Sequence, residues 1–178
     1  GMHTFIVRID PSISAGELLR RLGKAGFAVQ DEVLELLEEH TPRSREVIDL
    51  EVVVLTVEDL GFIKLETPMD HIKAATTLEV LQAAREQGYR LATAEIAPAM
   101  MAQFPQFFRR NCCGVTMTGL LSPGSEDKYS GDPRTFTISL NQNNKPELGV
   151  SELSTGQEWT VYGTFAFVKP TARVKPVS

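Results

Sequence analysis

The segment at residues 47–57 constrains the fold more than any other part of the sequence. It begins with two acids on one face, Asp49 and Glu51, and continues through the apolar run Val52-Val53-Val54-Leu55. Side chains alternate between the two faces of a β-strand, so a strand that is apolar at consecutive positions must be covered on both faces. We therefore expect a central strand here, with other elements packed above and below it.

Helix boundaries can be read around this strand. Residues 14–17 and residues 76–79 each have the spacing of a capping box, in which a Ser or Thr oxygen and a Glu three positions later satisfy free amides at a helix start. Gly26 and Gly88 follow the two apolar stripes, and glycine is common just after a helix end. A further helix is expected over residues 30–39.

The segment after Thr93 allows two interpretations because it contains Pro98. Either Thr93 caps a helix that is kinked at the proline, or the helix starts later with Pro98 in its first turn, where a missing amide costs nothing. In both interpretations the helix ends at Pro105.

Strands are predicted at the start of the chain and throughout its second half. Their ranges are 3–9, 115–121, 135–140, 148–153 and 160–168. Early helices followed by late strands indicate an α+β fold, with helices concentrated in the N-terminal part and an antiparallel sheet or partial barrel in the C-terminal part. We expect one core and a single domain over residues 2–168, followed by a flexible tail over residues 169–178.

Charge and hydropathy exclude several classes of function. The net charge is −5, whereas nucleic-acid binders need a local excess of cations, so we expect no nucleic-acid partner. The longest apolar run has four residues, far below the roughly 20 that cross a membrane. The start of the chain does not resemble a signal peptide, and this favours a cytoplasmic protein without membrane contact.

A resemblance to a known family rests on several short segments. These are residues 4–7 with Asp10, residues 46–57, the helix ending Gly88-Tyr89-Arg90, the pair Ala92-Thr93, and the late Trp159, Phe165 and Phe167. In this arrangement the chain resembles a family of small bacterial proteins to which no activity is assigned. The resemblance implies this fold and a bacterial intracellular setting, and it transfers no site residue. Pro98 and the pair Cys112-Cys113 depart from the family pattern.

Sequence motifs of catalysis are absent. The chain has no Gly-rich phosphate loop, no Gly-x-Ser-x-Gly and no His-Glu-x-x-His. Its histidines, His3, His40 and His71, are too far apart in sequence to form a local pair of metal ligands. We therefore predict no catalytic residue, no metal ion and no cofactor.

Five residues are candidates for contact with a partner or a ligand. They are Arg90, Glu95, Arg109, Arg110 and Trp159. Glu95, Arg90 and Arg85 form a polar cluster that is either a site or a structural ion pair. Trp159 either fills the core or anchors a partner.

Arg109 and Arg110 follow the phenylalanine-rich segment 104–108. Aromatic and basic side chains together can stack bases and hold phosphate. In the alternative interpretation, this segment is a loop whose phenylalanines fill the core while the arginines remain in water. The nearby pair Cys112-Cys113 is either a redox switch or two small apolar residues that enter a strand.

The favoured hypothesis for function is a non-catalytic interaction or accessory domain that binds a protein partner. It rests on a well-patterned core without a visible pair of nucleophile and base. The alternative is a small hydrolase or transferase whose site is assembled only in the fold, with Glu95, His71 and Arg90 as its candidate residues. The sequence leaves the oligomeric state open.

Overall fold

A computed structural model describes residues 2–40, 46–63, 73–110, 114–119 and 133–170. The helices are α1 (Ala15–Lys24), α2 (Glu32–His40), α3 (Thr77–Glu86), α4 (Ile96–Gln103) and α5 (Pro105–Arg110), with a 3-10 turn over Glu58–Leu60. The strands are β1 (His3–Ile9), β2 (Ala28–Val29), β3 (Ile48–Thr56), β4 (Ala75–Thr76), β5 (Arg90–Leu91), β6 (Val115–Met117), β7 (Arg134–Leu140), β8 (Pro146–Glu152), β9 (Glu158–Trp159) and β10 (Thr164–Lys169).

The strands form one large open sheet and one two-stranded sheet. The large sheet has the order β1-β3-β10-β6-β7-β8-β2, with β5 also paired to β10, and β4 pairs with β9. The β10–β6 and β2–β8 pairs are parallel and the other pairs are antiparallel. A fold with both helices and strands is therefore confirmed, whereas the described strands form a mixed sheet rather than an antiparallel one.

The expected separation of helices and sheet along the chain is only partly confirmed. The described helices all lie before residue 111, but β1 and β3 from the same half belong to the large sheet. The reason is that β10, from the end of the chain, pairs with β3 along its length, and so joins the two halves in one sheet. In the described part of the chain, the sheet ends at β1 and β2 and does not close into a barrel.

Strand β3 has the double cover that its sequence predicts. Val52 and Val54 pack with α1, α2 and α4, whereas Val53 and Leu55 pack with α3 and with the aromatic residues of β10. All four side chains are at most 2% exposed. The apolar run thus forms the floor of two hydrophobic clusters, one on each face of the large sheet.

The predicted helix caps are confirmed at α3 and in part at α1. Thr76 and Glu79 form the complete capping box. Ser14 accepts a hydrogen bond from the Glu17 amide at 3.1 Å, but the Glu17 carboxylate bonds to Arg20 and Arg21 instead of reaching back. Both helices are followed by a glycine with positive φ, as predicted: 91° after α1 and 89° after α3.

The Glu17 carboxyl gives α1 a dependence on pH. Hydrogen bonds from Arg20, and then from Arg21, lower its pKa from 4.5 to about 2. A lowered pKa in the folded state means that this group stabilises the protein above pH 4.5, and that the contribution is lost as the pH falls towards 2. We expect Glu17→Gln to flatten the fall in melting temperature over this interval, measured by circular dichroism.

Arg20→Gln serves as the partner variant, because the Arg20 hydrogen bond is the largest cause of the shift. It should likewise flatten the fall in melting temperature between pH 4.5 and 2. Melting temperatures of Glu17→Gln and the unmodified protein that fall in parallel from pH 4.5 to 2 would contradict this assignment.

Helix α4 begins late, in agreement with the second interpretation of Pro98. Pro98 lies in the first turn of the helix, and Glu95 rather than Thr93 occupies the N-cap position, without a side-chain cap bond. Residues 96–101 are all buried, which explains why the sequence has no amphipathic stripe here. Helix α5 then starts at Pro105, where a loop was expected.

The ends of β5 and β6 meet beside β10. The Thr118 hydroxyl accepts a hydrogen bond from the Ala92 amide at 2.9 Å and donates one to the Ala166 carbonyl at 2.8 Å. Gly119 lies so close to this junction that an added Cβ would be 1.9 Å from the Ala92 carbonyl oxygen. The predicted strand 115–121 therefore stops at Met117, because β5 pairs with the next part of β10.

Glutamine side chains cover part of the free edge of β1 and part of the edge of β8 beyond the two-residue strand β2. On β1, the side-chain amide of Gln103 accepts a hydrogen bond from the backbone N–H of Arg8 at 2.8 Å and donates one to the backbone carbonyl of Arg8 at 2.7 Å. On β8, Gln30 accepts from the Val150 amide at 3.0 Å. Unpaired edge groups are templates for the addition of further strands, so these contacts oppose edge-to-edge pairing.

Strand β10 also changes the expected boundary of the C-terminal tail. It starts at Thr164, later than predicted, and it continues through Lys169, whose ammonium lies 3.7 Å from the Glu51 carboxylate. The residue expected to begin the tail is thus part of the sheet, and residues 171–178 lie outside the described residues. Within the described ranges, none of the helices combines the length and apolar character needed to cross a membrane.

Candidate ligand-binding cleft

A cleft of about 930 Å³ lies on the face of the sheet that carries α1 and α4. Its apolar lining comes from the sheet and from both helices. These residues include Ile9, Leu18, Ile48, Leu50, Ile96 and Val168. Ligand sites typically have about 300–1,000 Å³ and a mostly apolar lining with a few polar groups. The cleft has both properties.

Small residues on the helices make room for the cleft. Ala15 at the start of α1 and Ala99 and Ala102 on α4 all line it. Ala99 and Ala102 are three positions apart, so they lie on the same face of their helix. The strand residue Ile48 also lines the cleft and is 38% exposed.

Three arginines line the cleft, and they differ in their partners. Arg8 is paired with Asp49 at 3.1 Å, and Arg21 with Glu17 at 3.3 Å. The exposed Arg90 is opposite Val168 in the β5–β10 register, and no ion pair among the described residues includes it. Its guanidinium is therefore available to a ligand.

The acids of the cleft are mostly engaged within the protein. Asp10 accepts hydrogen bonds from the Ser12 hydroxyl at 2.7 Å and from the Ser12 amide at 2.9 Å, and these bonds lower the pKa of Asp10. One Glu95 oxygen accepts from the Thr93 hydroxyl at 2.7 Å, whereas the other is buried without a hydrogen-bond partner. Glu38 on α2 is the third acid of the lining.

The structure brings two of the five predicted contact residues to this cleft, Arg90 and Glu95. Among the described residues, no ion pair joins Arg90 to Glu95. His71, the third candidate of the enzymatic hypothesis, lies outside the described residues, as do Cys112 and Cys113.

The other two predicted arginines lie elsewhere. The Arg109 guanidinium donates to the Ala25 carbonyl at 2.6 Å and lies 5.8 Å from the centre of the Phe27 ring. Ala25 is the C-cap of α1. The partial negative charge at the C-terminal end of the helix stabilises a cation at this position. Arg109 is thus used within the fold, while Arg110 is exposed.

The phenylalanines of the same segment pack inward, as the alternative interpretation predicted. Phe108 is fully buried, and Phe104 and Phe107 pack against the core. The centres of the Phe104 and Phe107 rings each lie 4.9 Å from that of Phe5 on β1. The segment forms α5 rather than a loop, and none of these rings is free to stack on a base.

Trp159 packs on the opposite face of the sheet from the cleft. Its indole Nε1 donates to the Thr77 hydroxyl at 2.8 Å, and its ring centre lies 4.8 Å from that of Phe165. The Trp159 carbonyl accepts from the Ala74 amide at 2.7 Å. These contacts attach the β4–β9 pair to the core and support the interpretation of Trp159 as a packing residue.

The apolar cleft itself was missed by sequence reasoning. Its residues come from segments up to about 160 positions apart, and each apolar residue alone has the pattern of an ordinary core position. The available signal was the alanine pair of α4, whose small side chains leave space on a helix that is otherwise bulky. In the part of the chain that the structure describes, no group of three His, Cys, Asp or Glu side chains could hold a metal ion.

Comparison of the chain with protein-family models, curated proteins and solved structures finds no match. The resemblance to a family of small bacterial proteins therefore stays a prediction.

Proposed function

We propose that the protein is a non-catalytic binding module that takes a small apolar ligand in the cleft between the sheet and helices α1 and α4. The observation that carries this proposal is the size and lining of the cleft, about 930 Å³ with Ile48 partly exposed at its floor. Burial of a ligand there would remove apolar surface of both partners from water, which is favourable in proportion to the area.

The polar groups around the cleft support binding rather than catalysis. The Ser14 hydroxyl accepts from the Glu17 amide and thereby caps α1. The Thr93 hydroxyl donates to Glu95 just before α4. Both hydroxyls have a local structural role, and a nucleophile needs a base aligned with it beside an open site.

A ligand of low molecular weight fits better than an added β-strand. Gln103 lines the cleft and also occupies the edge of β1 at Arg8. A strand that entered along this edge would have to displace both hydrogen bonds of the Gln103 amide. A small molecule can enter the cleft while these bonds stay intact.

Filling the cleft should weaken binding. N-phenyl-1-naphthylamine, an uncharged probe whose fluorescence rises in apolar surroundings, should bind the unmodified protein. We expect Ala102→Trp to weaken its binding at least about tenfold, since the indole occupies space that the probe needs. Fluorescence titration measures both affinities, and a tenfold change corresponds to about 1.4 kcal/mol.

The matched control is Ala83→Trp on α3, a partly buried alanine that does not line the cleft. It should bind the probe as the unmodified protein does. Equal binding by both tryptophan variants, or none by the unmodified protein, would contradict the proposed use of the cleft.

One observation favours the alternative of a small hydrolase or transferase. Thr93 and Glu95 form a hydroxyl–carboxylate pair on the cleft, with 2.7 Å between their oxygens. In an enzyme, this carboxylate would accept the hydroxyl proton as the oxygen attacks. Turnover of a p-nitrophenyl ester that disappears in both Thr93→Val and Glu95→Gln would support this alternative over simple binding.

A further inference from the structure

We infer that the ligand of the cleft is an amphiphilic monocarboxylate, with its carboxylate on Arg90 and its unbranched apolar tail on the floor formed by the sheet. This inference rests on the proposed function and names the ligand class of the same site. Its basis is the combination of a guanidinium that has no ion-pair partner among the described residues with a large apolar cavity, which together match one charged end and one apolar end of the same molecule.

Arg90 is held in place by the backbone of the large sheet. It belongs to β5, which pairs with β10 so that Arg90 is opposite Val168 and Leu91 is opposite Phe167. Arg90 and Val168 both line the cleft. The guanidinium is therefore attached to a fixed strand at the cleft, and it can give two parallel hydrogen bonds to a carboxylate.

The charges around Arg90 leave it as the cation that a ligand can use. The carboxylate of Asp49 is 3.1 Å from Arg8, and that of Glu17 is 3.3 Å from Arg21. Arg90 has no such partner among the described residues. Its exposed guanidinium is thus ready to bind an anion without first breaking an ion pair of the protein.

The acids of the cleft would weaken anion binding but do not prevent it. Asp10 is ionised and bonded to Ser12, and the nearby charges of Arg21 and Arg8 offset its negative charge in part. One Glu95 oxygen is bonded to Thr93, whereas the other has no hydrogen-bond partner and opposes an anion placed beside it; Glu38 faces solvent on α2. Charges exposed to solvent are screened, whereas a carboxylate in contact with Arg90 gains charge-assisted hydrogen bonds.

The apolar part of the ligand follows from the lining. Ile9, Ile48 and Leu50 come from neighbouring strands of the sheet, and the alanines of α4 leave room above them. An unbranched tail that lies on this floor loses water along its whole length. Affinity should therefore rise roughly fourfold for each added methylene until the cleft is filled.

Three unbranched ligands of ten carbons each test the inference: decanoate, 1-decanol and decylamine. Each displaces N-phenyl-1-naphthylamine at pH 7, below the concentration at which it forms micelles. Decanoate should bind about tenfold or more tightly than 1-decanol, and decylamine more weakly than either. Octanoate should bind more weakly than decanoate if the tail lies in the cleft.

Arg90→Gln should remove the advantage of decanoate over 1-decanol and leave the affinity for 1-decanol unchanged. The matched control is Arg85→Gln, an exposed arginine on α3 that does not line this cleft. It should retain the preference for decanoate. Equal melting temperatures of the two variants would show that the fold is intact.

The outcomes separate this inference from the proposed function. If 1-decanol and the probe bind but decanoate binds no more tightly, or decylamine binds best, the carboxylate assignment is wrong and the cleft is still a binding site. A preference for decanoate that survives in Arg90→Gln also overturns the assignment to Arg90. If no ligand or probe binds, the proposed function itself fails.

Discussion

Gly119→Ala should destabilise the folded protein by about 3 kcal/mol, the upper end of the usual cost of overpacking. The new Cβ would be 1.9 Å from the Ala92 carbonyl oxygen and 3.1 Å from the Ala92 carbonyl carbon. Both are backbone atoms, so no side-chain rotation can relieve the clash. The Ala92 amide is also fixed by its hydrogen bond to Thr118, so the two segments must separate and disturb β5 and β6 together.

Urea denaturation measures this effect as a fall in the free energy of unfolding. Gly23→Ala is the control, because Gly23 lies in α1 and an added Cβ there meets nothing within 4 Å. That variant should be more stable by about 0.5–1 kcal/mol, since alanine is the better helix former. An unfolding free energy for Gly119→Ala within about 0.5 kcal/mol of the unmodified protein, the size of an ordinary surface substitution, would show that the close approach does not exist.

Thr118→Val should cost about 2–4 kcal/mol of folding free energy. The substitution keeps the shape of a side chain that is 0% exposed, but it removes the hydroxyl that joins the Ala92 amide to the Ala166 carbonyl. Each buried polar group that loses its partner costs about 1–3 kcal/mol. Because the hydroxyl serves one donor and one acceptor, two backbone groups lose their partner at once.

The matched control is Thr116→Val, two positions earlier on β6. Thr116 is also buried, at 5% exposure, but no side-chain hydrogen bond of Thr116 is found within the described part of the structure. Its replacement should change the unfolding free energy by less than about 1 kcal/mol, because valine suits a strand and no pair is broken. An equal fall in unfolding free energy in both variants would mean that the two hydrogen bonds of the Thr118 hydroxyl do not stabilise the fold.

Local signals predicted the individual elements well. The capping box at Thr76, the glycine after α3 and the doubly apolar β3 each depend on neighbouring residues, and all three are confirmed. Strand β7, predicted over residues 135–140, is found as Arg134–Leu140. These elements could be predicted because backbone capping and side-chain periodicity act over a few residues.

The short strands could not be predicted in the same way. β2, β4, β5 and β9 have two residues each, too few for any periodicity to be visible. They exist because a neighbouring strand offers free backbone groups: β5 pairs with β10, and β4 pairs with β9. The same cause ends β6 earlier than its apolar sequence suggests.

The candidate site was only partly visible in the sequence. Arg90 and Glu95 were singled out as a polar group, and both line the cleft. The use of Arg109 as a cap for α1 could not be foreseen, since its partner Ala25 is 84 positions away. The cleft also depends on Ile48 and Ala102, which line the same space only because α4 packs against β1, the neighbour of β3.

The sequence alone determined helices α1, α2 and α3, the positions of the long strands, and that β3 needs cover on both faces, because these properties follow from contacts between residues close in the chain. The tertiary structure alone decided the strand order, the junction held by Thr118 and Gly119, and the position of the cleft. Each of these depends on which distant segments become neighbours when the whole sheet minimises its exposed apolar surface and its unpaired backbone groups.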